Sequence, residues 1–121
     1  MEKLKVLLVD DEKGYAEVLA KRMALRGIAV SVALSGTEAI RMLRGEQFDA
    51  AVLDLKLEDM DGIEILKIFK KMDPAMPVIM VTGHGSETAA RQGMEFGAFD
   101  YLMKPCNLNV LMEKIRQACH R

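Results

Sequence analysis

The chain has 121 residues, with 17 basic and 18 acidic side chains, a net charge of −1 and a hydrophobic fraction of 50%. This length and balance predict one compact domain, and they exclude a disordered chain or a polybasic nucleic-acid binder. The apolar runs are far shorter than the roughly 20 residues that span a bilayer, and no secretory signal precedes the first run. Two cysteines, Cys106 and Cys119, are too few for a disulfide framework or a zinc site, which favours a reducing cytoplasm.

Short apolar runs alternate with longer amphipathic segments along the whole chain, and no repeat or linker interrupts them. The first, third and fourth runs are apolar throughout their middles, as in strands buried on both faces of a parallel sheet. The predicted strands are residues 4–9, 28–33, 49–53, 77–81 and 99–102.

Helical segments fill the intervals after each strand, and their ends carry capping signals. In chain order the signals are Gly27 at the end of the first helix, and Ser35, Asp61, Ser86 and Asn107 at the starts of the other four. Five strands that alternate with five helices imply a three-layer α/β sandwich with right-handed crossovers. In such folds ligands bind outside the carboxyl ends of the strands.

Apolar residues at helical spacing predict which helix faces are buried. The fifth helix has a full apolar stripe from Leu108 to Cys119. In the first helix the predicted stripe is Tyr15, Val18, Leu19 and Met23. The fourth helix offers only Ala89, Ala90, Gly93 and Met94, so it is predicted to be the most loosely held.

Polar side chains stand at the ends of four predicted strands, on the edge where ligands bind. They are Asp10 and Asp11, Asp54, Thr82 and Lys104. An isolated aspartate after a strand is usually a turn former, but that explanation does not account for four such ends together. The sequence therefore predicts a functional site at this edge.

Three carboxylates in one crevice need a cation or a proton. At about 4 Å and an effective dielectric near 20, each pair repels by about 4 kcal/mol before screening. Carboxylate oxygens without histidine or cysteine favour Mg²⁺ or Ca²⁺, and a sparse site favours Mg²⁺. Lys104 adds a mobile positive charge and Thr82 a hydroxyl donor, both suited to a phosphoryl group. The combination predicts a phosphoryl-transfer site.

At these residues the chain resembles the receiver domain of two-component response regulators. The matching segments are 6–12 (VLLVDDE), 51–54 (AVLD), 60–62 (MDG), 78–83 (VIMVTG) and 97–105 (GAFDYLMKP). The resemblance covers essentially all 121 residues and implies a flavodoxin-like (βα)5 fold with parallel strand order 2-1-3-4-5. The run from Thr82 to Lys104 most resembles NtrC-like receivers, which precede sigma-54-type activator ATPases.

The resemblance implies a role for each matching residue. Asp54 would be the phosphoacceptor, taking a phosphoryl group from a phosphohistidine, while Lys104 and Thr82 contact the phosphoryl oxygens. Tyr101 would be an aromatic switch that turns inward as Thr82 moves, and Pro105 would follow a cis peptide bond.

The resemblance also implies the metal site and its surroundings. Asp10, Asp11, Asp54 and the backbone carbonyl of Lys56 would hold Mg²⁺. Lys56 and His84 occupy positions that tune the lifetime of the acyl phosphate. Similar proteins often carry proline at the position of Glu58. The glutamate adds charge near the site.

The implied partners are a sensor histidine kinase or phosphotransfer protein, and an output domain or partner protein that contacts the face of the fourth helix, fifth strand and fifth helix. We expect regulation of transcription, a phosphorylation-dependent homodimer as one form of output, and no nucleic-acid or membrane contact by this domain. The 121 residues are expected to be one receiver domain without an effector domain, which is not an enzyme beyond catalysing its own phosphorylation and dephosphorylation.

The main alternative is a small Mg²⁺-dependent phosphatase with an aspartyl nucleophile. Such an enzyme of the dehalogenase type would want Asp-x-Asp-x-Thr after its first strand, whereas residues 10–14 read DDEKG. It would also usually need a cap over its substrate, for which no residues are left. A flavodoxin-like cofactor carrier and a P-loop nucleotide binder both lack their phosphate loops here.

Overall fold

A parallel sheet with helices on both faces organises the chain. The computed structural model describes residues 3–83 and 87–120. The strands are β1 (Lys5–Val9), β2 (Ala29–Ala33), β3 (Ala50–Asp54), β4 (Val78–Thr82) and β5 (Asp100–Met103). The helices are α1 (Lys13–Leu25), α2 (Gly36–Gly45), α3 (Gly62–Met72), α4 (Glu87–Glu95) and α5 (Leu108–Ala118).

The strand order is β2-β1-β3-β4-β5, with every pair parallel, which confirms the predicted fold. Every residue of β3 and β4 is buried, and only the first residue of β1 is exposed. In the edge strand β5 half-buried and exposed residues alternate, and most residues of the edge strand β2 are half-buried. The three apolar runs are therefore the three central strands, as their composition predicted.

Strands β3, β4 and β5 each end one residue later than predicted. Asp54 pairs in register with Val81 and is the last residue of β3, and Thr82 pairs with Met103 and is the last residue of β4. The polar side chains of Asp54 and Thr82 hid the extension of β3 and β4 from a hydrophobicity pattern, because the backbone pairing continues regardless of the side chain.

Three predicted helix caps are present in the structure. Ser35 accepts a hydrogen bond from the amide of Glu38, and Asp61 accepts one from the amide of Ile63. Asn107 accepts one from the amide of Val110. Gly27 follows α1 with a φ of +88°, a conformation that favours glycine at a helix end. The predicted cap Ser86 lies outside the described residues.

Two apolar clusters cover the two faces of the sheet. One packs α2 and α3 on the sheet around Phe69 and Met80, and the other packs α1 and α5 around Met23 and Ile115. Within residues 3–83 and 87–120, no helix combines the length and apolar character needed to cross a bilayer.

Two predicted inner faces were partly wrong. In α1 the buried residues are Ala16, Leu19 and Met23, which are three and four positions apart and share one face, whereas Val18 is 51% exposed. In α4 only Ala90 and Gly93 are buried, and Met94 is 40% exposed. A Cβ at Gly93 would collide with the end of the Met80 side chain, so α4 lies close to β4 through small residues.

Candidate functional site

An acidic cluster lies at the carboxyl ends of the central strands. Asp10 directly follows β1 and Asp54 ends β3, and both are buried. The sequence reached this edge correctly because parallel strands deliver their carboxyl ends to the same side of a sheet. The backbone amide of Lys104, directly after β5, donates to the carbonyl of Thr82 at 2.7 Å and fixes the start of the following turn.

Lys104 is bound by three carboxylates at once. Its Nζ lies 2.9 Å from Asp10 Oδ2, 3.0 Å from Glu12 Oε1 and 3.0 Å from Asp54 Oδ2. An ammonium has three N–H donors, so these contacts use all of them. Burial disfavours the charged form, but the hydrogen bonds to the three carboxylates outweigh it and raise the pKa of Lys104. The ammonium is therefore charged throughout the physiological range.

Asp54 is held in one orientation by two hydrogen bonds. Its Oδ1 accepts from the amide of Lys56 at 3.0 Å, and its Oδ2 accepts from Lys104. Burial raises the pKa of Asp54 above its ordinary value, and these two hydrogen bonds offset that effect only in part. The carboxylate is thus a buried, poorly hydrated anion beside a fixed cation.

The third carboxylate at Lys104 belongs to Glu12, which the sequence reasoning missed. Its side chain is 66% exposed, and its backbone amide donates to Asp10 Oδ1 at 2.9 Å. The only signal for it was its position as the third acid of the run 10–12.

Asp11, which was predicted to join Asp10 and Asp54, points elsewhere. Its Oδ2 accepts from the amide of Glu58 at 3.0 Å, across the crevice. Among residues 3–83 and 87–120, the three acidic groups whose oxygens lie within 4.8 Å of one another are Asp10, Glu12 and Asp54.

This donor set fits a small hard cation. All three groups offer carboxylate oxygens, and none is a cysteine or histidine. Mg²⁺ is bound in proteins by one or two carboxylates, keeps several waters and coordinates phosphate oxygens. Zn²⁺, by contrast, prefers thiolate and imidazole. A cation here would share its carboxylates with the ammonium of Lys104.

Thr82 and Tyr101 belong to the neighbouring strands β4 and β5. Thr82 is fully buried, and its hydroxyl donates to the sulfur of Met103 at 3.3 Å. Tyr101 is 37% exposed. The Lys104–Pro105 peptide bond is cis. His84, predicted to tune the site, lies outside the described residues.

Hydrogen bonds to backbone amides and a β-bridge hold the loop between β3 and α3 in place. Asp59 accepts from the amides of Gly36 and Thr37 at 2.9 and 3.0 Å, which ties the loop to the start of α2. Lys56 has an exposed side chain and forms an isolated bridge with Asp61. These contacts fix the backbone directly after Asp54.

The protein is therefore an open parallel α/β sheet with a buried aspartate paired to a lysine at its carboxyl edge. Comparison with known proteins gives the family. The model of the response regulator receiver domain matches residues 6–116, and the chain belongs to that family.

Solved structures agree with the fold at high similarity. A response regulator receiver domain from Clostridium thermocellum superposes with a TM-score of 0.93 at 34% identity, over 98% of this chain and 95% of that one. The receiver domain of NtrX from Brucella abortus gives a TM-score of 0.90 at 27% identity, over 95% of this chain and 98% of that one.

The curated relatives are longer proteins. An NtrX-like response regulator of Rickettsia felis is 37% identical over 98% of this chain, and the transcriptional regulatory protein GlrR of Escherichia coli is 37% identical over 93%. In both cases the chain spans only 26% of the relative's length. These names agree with the resemblance to NtrC-like receivers that the sequence indicated.

Proposed function

We propose that Asp54 accepts a phosphoryl group from a phosphohistidine on a sensor kinase or phosphotransfer protein, and that this modification switches the output surface of the domain. The single observation that carries the proposal is the buried Asp54 carboxylate, 3.0 Å from the Lys104 ammonium at the carboxyl edge of the sheet. Membership of the receiver family supports it and disfavours the alternative of a small phosphatase.

In the proposed transfer a carboxylate oxygen of Asp54 forms the new bond to phosphorus, while the bond from phosphorus to the histidine nitrogen breaks and the ring nitrogen keeps the electron pair. The product is an acyl phosphate. Lys104 neutralises charge on the phosphoryl oxygens, and its fixed position spares the cost of reorganisation during the reaction.

Magnesium fits the acidic residues of the site. We propose that Asp10 and Asp54 hold it with the backbone carbonyl of Lys56, that Asp11 joins them when its Oδ2 releases the amide of Glu58, and that Glu12 extends the acidic set. When bound, Mg²⁺ adds positive charge next to the transferred group. Asp10 and Asp54 would then share their oxygens between the metal and Lys104.

Lys104 must exchange one of its three carboxylate partners for a phosphoryl oxygen, because it has no spare N–H donor. Glu12 is the partner that water can replace at least cost, since its side chain is 66% exposed while those of Asp10 and Asp54 are buried. Asp54 becomes an uncharged acyl group in the product, so we propose that Lys104 exchanges its contact with Asp54 for the phosphoryl oxygen, and that Glu12 is the next partner to release the ammonium.

The proposed switch links Thr82 to Tyr101. Thr82 would turn its hydroxyl from Met103 to a phosphoryl oxygen, and Tyr101 would move inward from its exposed position. The output face is α4, β5 and α5, and four of the larger exposed apolar side chains belong to these elements. They are Met94, Tyr101, Met103 and Val110. A local charge and packing change of this kind biases a two-state surface.

The output face would contact an output domain, a partner protein or a second copy of the domain, and we propose no direct contact with nucleic acid. Residues 1–121 would act as one receiver domain in the cytoplasm, within a system that regulates transcription, as the name of the relative GlrR indicates for that protein. The domain would catalyse only its own phosphorylation and dephosphorylation, with Lys56 and His84 setting the lifetime.

Incubation with Mg²⁺ and acetyl phosphate, followed by intact mass measurement, tests the proposal. The wild-type chain is expected to gain one adduct of about 80 Da, and the variant Asp54→Asn none. Omission of Mg²⁺ is expected to abolish the gain. Continuous release of phosphate without a protein adduct would instead support the phosphatase.

A further inference from the structure

The ring of Tyr15 in α1 lies beneath the ammonium of Lys104. The distance from Lys104 Nζ to the ring centroid is 4.8 Å, within the range of a cation–π contact. Tyr15 is half-buried and packs against the apolar cluster between the sheet, α1 and α5. It thus lies between the core and the cation of the site.

Tyr15 also contacts the chain just beyond Lys104. Its hydroxyl is 3.6 Å from the sulfur of Cys106, the second residue after Lys104. Burial raises the pKa of Tyr15, so the ring carries no charge that would disturb the ammonium at neutral pH. One side chain therefore touches both the head group of Lys104 and the turn that carries it.

We propose that Tyr15 is a positioning residue for Lys104, whose ring restricts the ammonium to the carboxylate cluster before and during phosphoryl transfer. The inference rests on the proposed function of Asp54 and Lys104, and it adds a residue to which the receiver resemblance gave no role. The sequence pattern predicted only that Tyr15 belongs to the buried stripe of the first helix.

The physical reason is the flexibility of lysine. Its four-carbon stem has many rotamers, and fixing a side chain of this kind costs conformational entropy. The cation–π contact offsets part of this cost in the resting protein, and the contact with Cys106 restrains the turn. A leucine at position 15 would keep apolar packing, but the carboxylates alone would then hold the ammonium and it would move more readily towards solvent.

Three variants test the proposal. Tyr15→Leu removes ring and hydroxyl, Tyr15→Phe removes only the hydroxyl, and Val18→Ala is the matched control because Val18 is exposed on the same helix. Two measurements are made with each, at a temperature at which circular dichroism shows the variant folded. The first is the rate of adduct formation with Mg²⁺ and acetyl phosphate. The second is the proton chemical shift of the Lys104 ε-methylene group, which a ring beneath it moves upfield.

We expect Tyr15→Leu to slow adduct formation about 3- to 10-fold and to lose the upfield shift. Tyr15→Phe and Val18→Ala are expected to keep the shift and to react within about twofold of wild type. A Tyr15→Leu variant as fast as wild type would overturn the inference, as would wild-type methylene protons at the position of free lysine or a Tyr15→Phe variant as slow as Tyr15→Leu. Absence of any adduct on the wild-type chain would overturn the proposed function itself.

Discussion

The Nζ atom of Lys104 lies 3.0 Å from Oδ2 of Asp54, although strand β4 separates the two strands that carry them. The ion pair therefore crosses the carboxyl edge of the sheet. It brings a chain segment from beyond β5 to the end of β3, next to Asp10, which directly follows β1. A site assembled from three strands in this way depends on the sheet order rather than on any local motif.

Replacement of Lys104 should show that its ammonium competes with Mg²⁺ for the carboxylates of the site. In Lys104→Met the carboxylates of Asp10, Glu12 and Asp54 lose their shared ammonium, so we expect Mg²⁺ to bind more tightly than to wild type, while adduct formation slows about 100-fold or more. Calorimetric titration of Mg²⁺ and the time course of the adduct measure the two effects. Lys71→Met, on the exposed side of α3, is the control for the loss of one positive charge. Equal or weaker Mg²⁺ binding by Lys104→Met would contradict the prediction.

Ionisation of the buried Asp54 side chain should lower the free energy of unfolding. Burial raises the pKa of Asp54 in the folded state, so the folded protein binds the proton more tightly than the unfolded chain does. The free energy of unfolding is then expected to fall as pH rises from the ordinary aspartate pKa of about 3.9 through the raised value.

The variant Asp54→Asn removes this titration while keeping a hydrogen-bond acceptor. We expect it to unfold at a higher temperature than wild type at pH 7, with the difference shrinking as pH falls towards about 4. Thermal unfolding across that range measures the difference. Glu58→Gln, an exposed acid in the same loop, controls for the change in net charge. A wild-type protein more stable than Asp54→Asn at pH 7 would refute the prediction.

A close backbone approach supports the loop behind Asp54. A Cβ at Gly62 would lie 2.5 to 2.8 Å from the backbone of Leu55, the residue after Asp54. Backbone atoms move less readily than the end of a side chain, so we expect Gly62→Ala to destabilise the fold by about 1–3 kcal/mol and to slow adduct formation.

Gly14 provides the matched control for this substitution. It lies in the first turn of α1, where a Cβ would meet nothing within 4 Å, so Gly14→Ala should stabilise the protein by about 0.5–1 kcal/mol. Chemical denaturation measures both variants. Similar effects of the two substitutions would rule out the close approach at Leu55 as the cause.

The output face should respond to the state of Asp54. Only Ala90 and Gly93 of α4 are buried, so few apolar contacts hold this helix to the sheet. We expect Mg²⁺ with beryllium fluoride to change amide exchange in α4, β5 and α5, and to leave α1 and α2 nearly unchanged. The Asp54→Asn variant should show no change with the same reagents. Identical protection of the output face in both states of the wild type would contradict the proposed switch.

The pattern of the sequence alone predicted the strands, their parallel arrangement and the edge that carries Asp10, Asp54 and Lys104. These features follow from apolar runs and from strand ends, both of which are local in the sequence. The strand order itself came from the family resemblance, because a parallel pattern is compatible with several orders.

Other features depend on three-dimensional neighbours and were missed. Val18 and Met94 fit an apolar stripe but lie outside it, because the packing surface is narrower than hydrophobicity suggests. Glu12 was not singled out because its role arises only when Lys104 reaches across the sheet. Tyr15 looked like an ordinary core residue for the same reason, since nothing in its local sequence indicates a cation above its ring.

The most direct test of the central claim locates the phosphoryl group on the chain. Borohydride reduces an acyl phosphate of aspartate to homoserine, so treatment of the wild-type protein after reaction with Mg²⁺ and acetyl phosphate leaves a permanent mark at the acceptor. Peptide mass spectrometry is predicted to find homoserine at position 54 and aspartate at positions 10 and 11. Homoserine at position 10 or 11 with unmodified Asp54, or no homoserine in a chain that carries the adduct, would contradict the account.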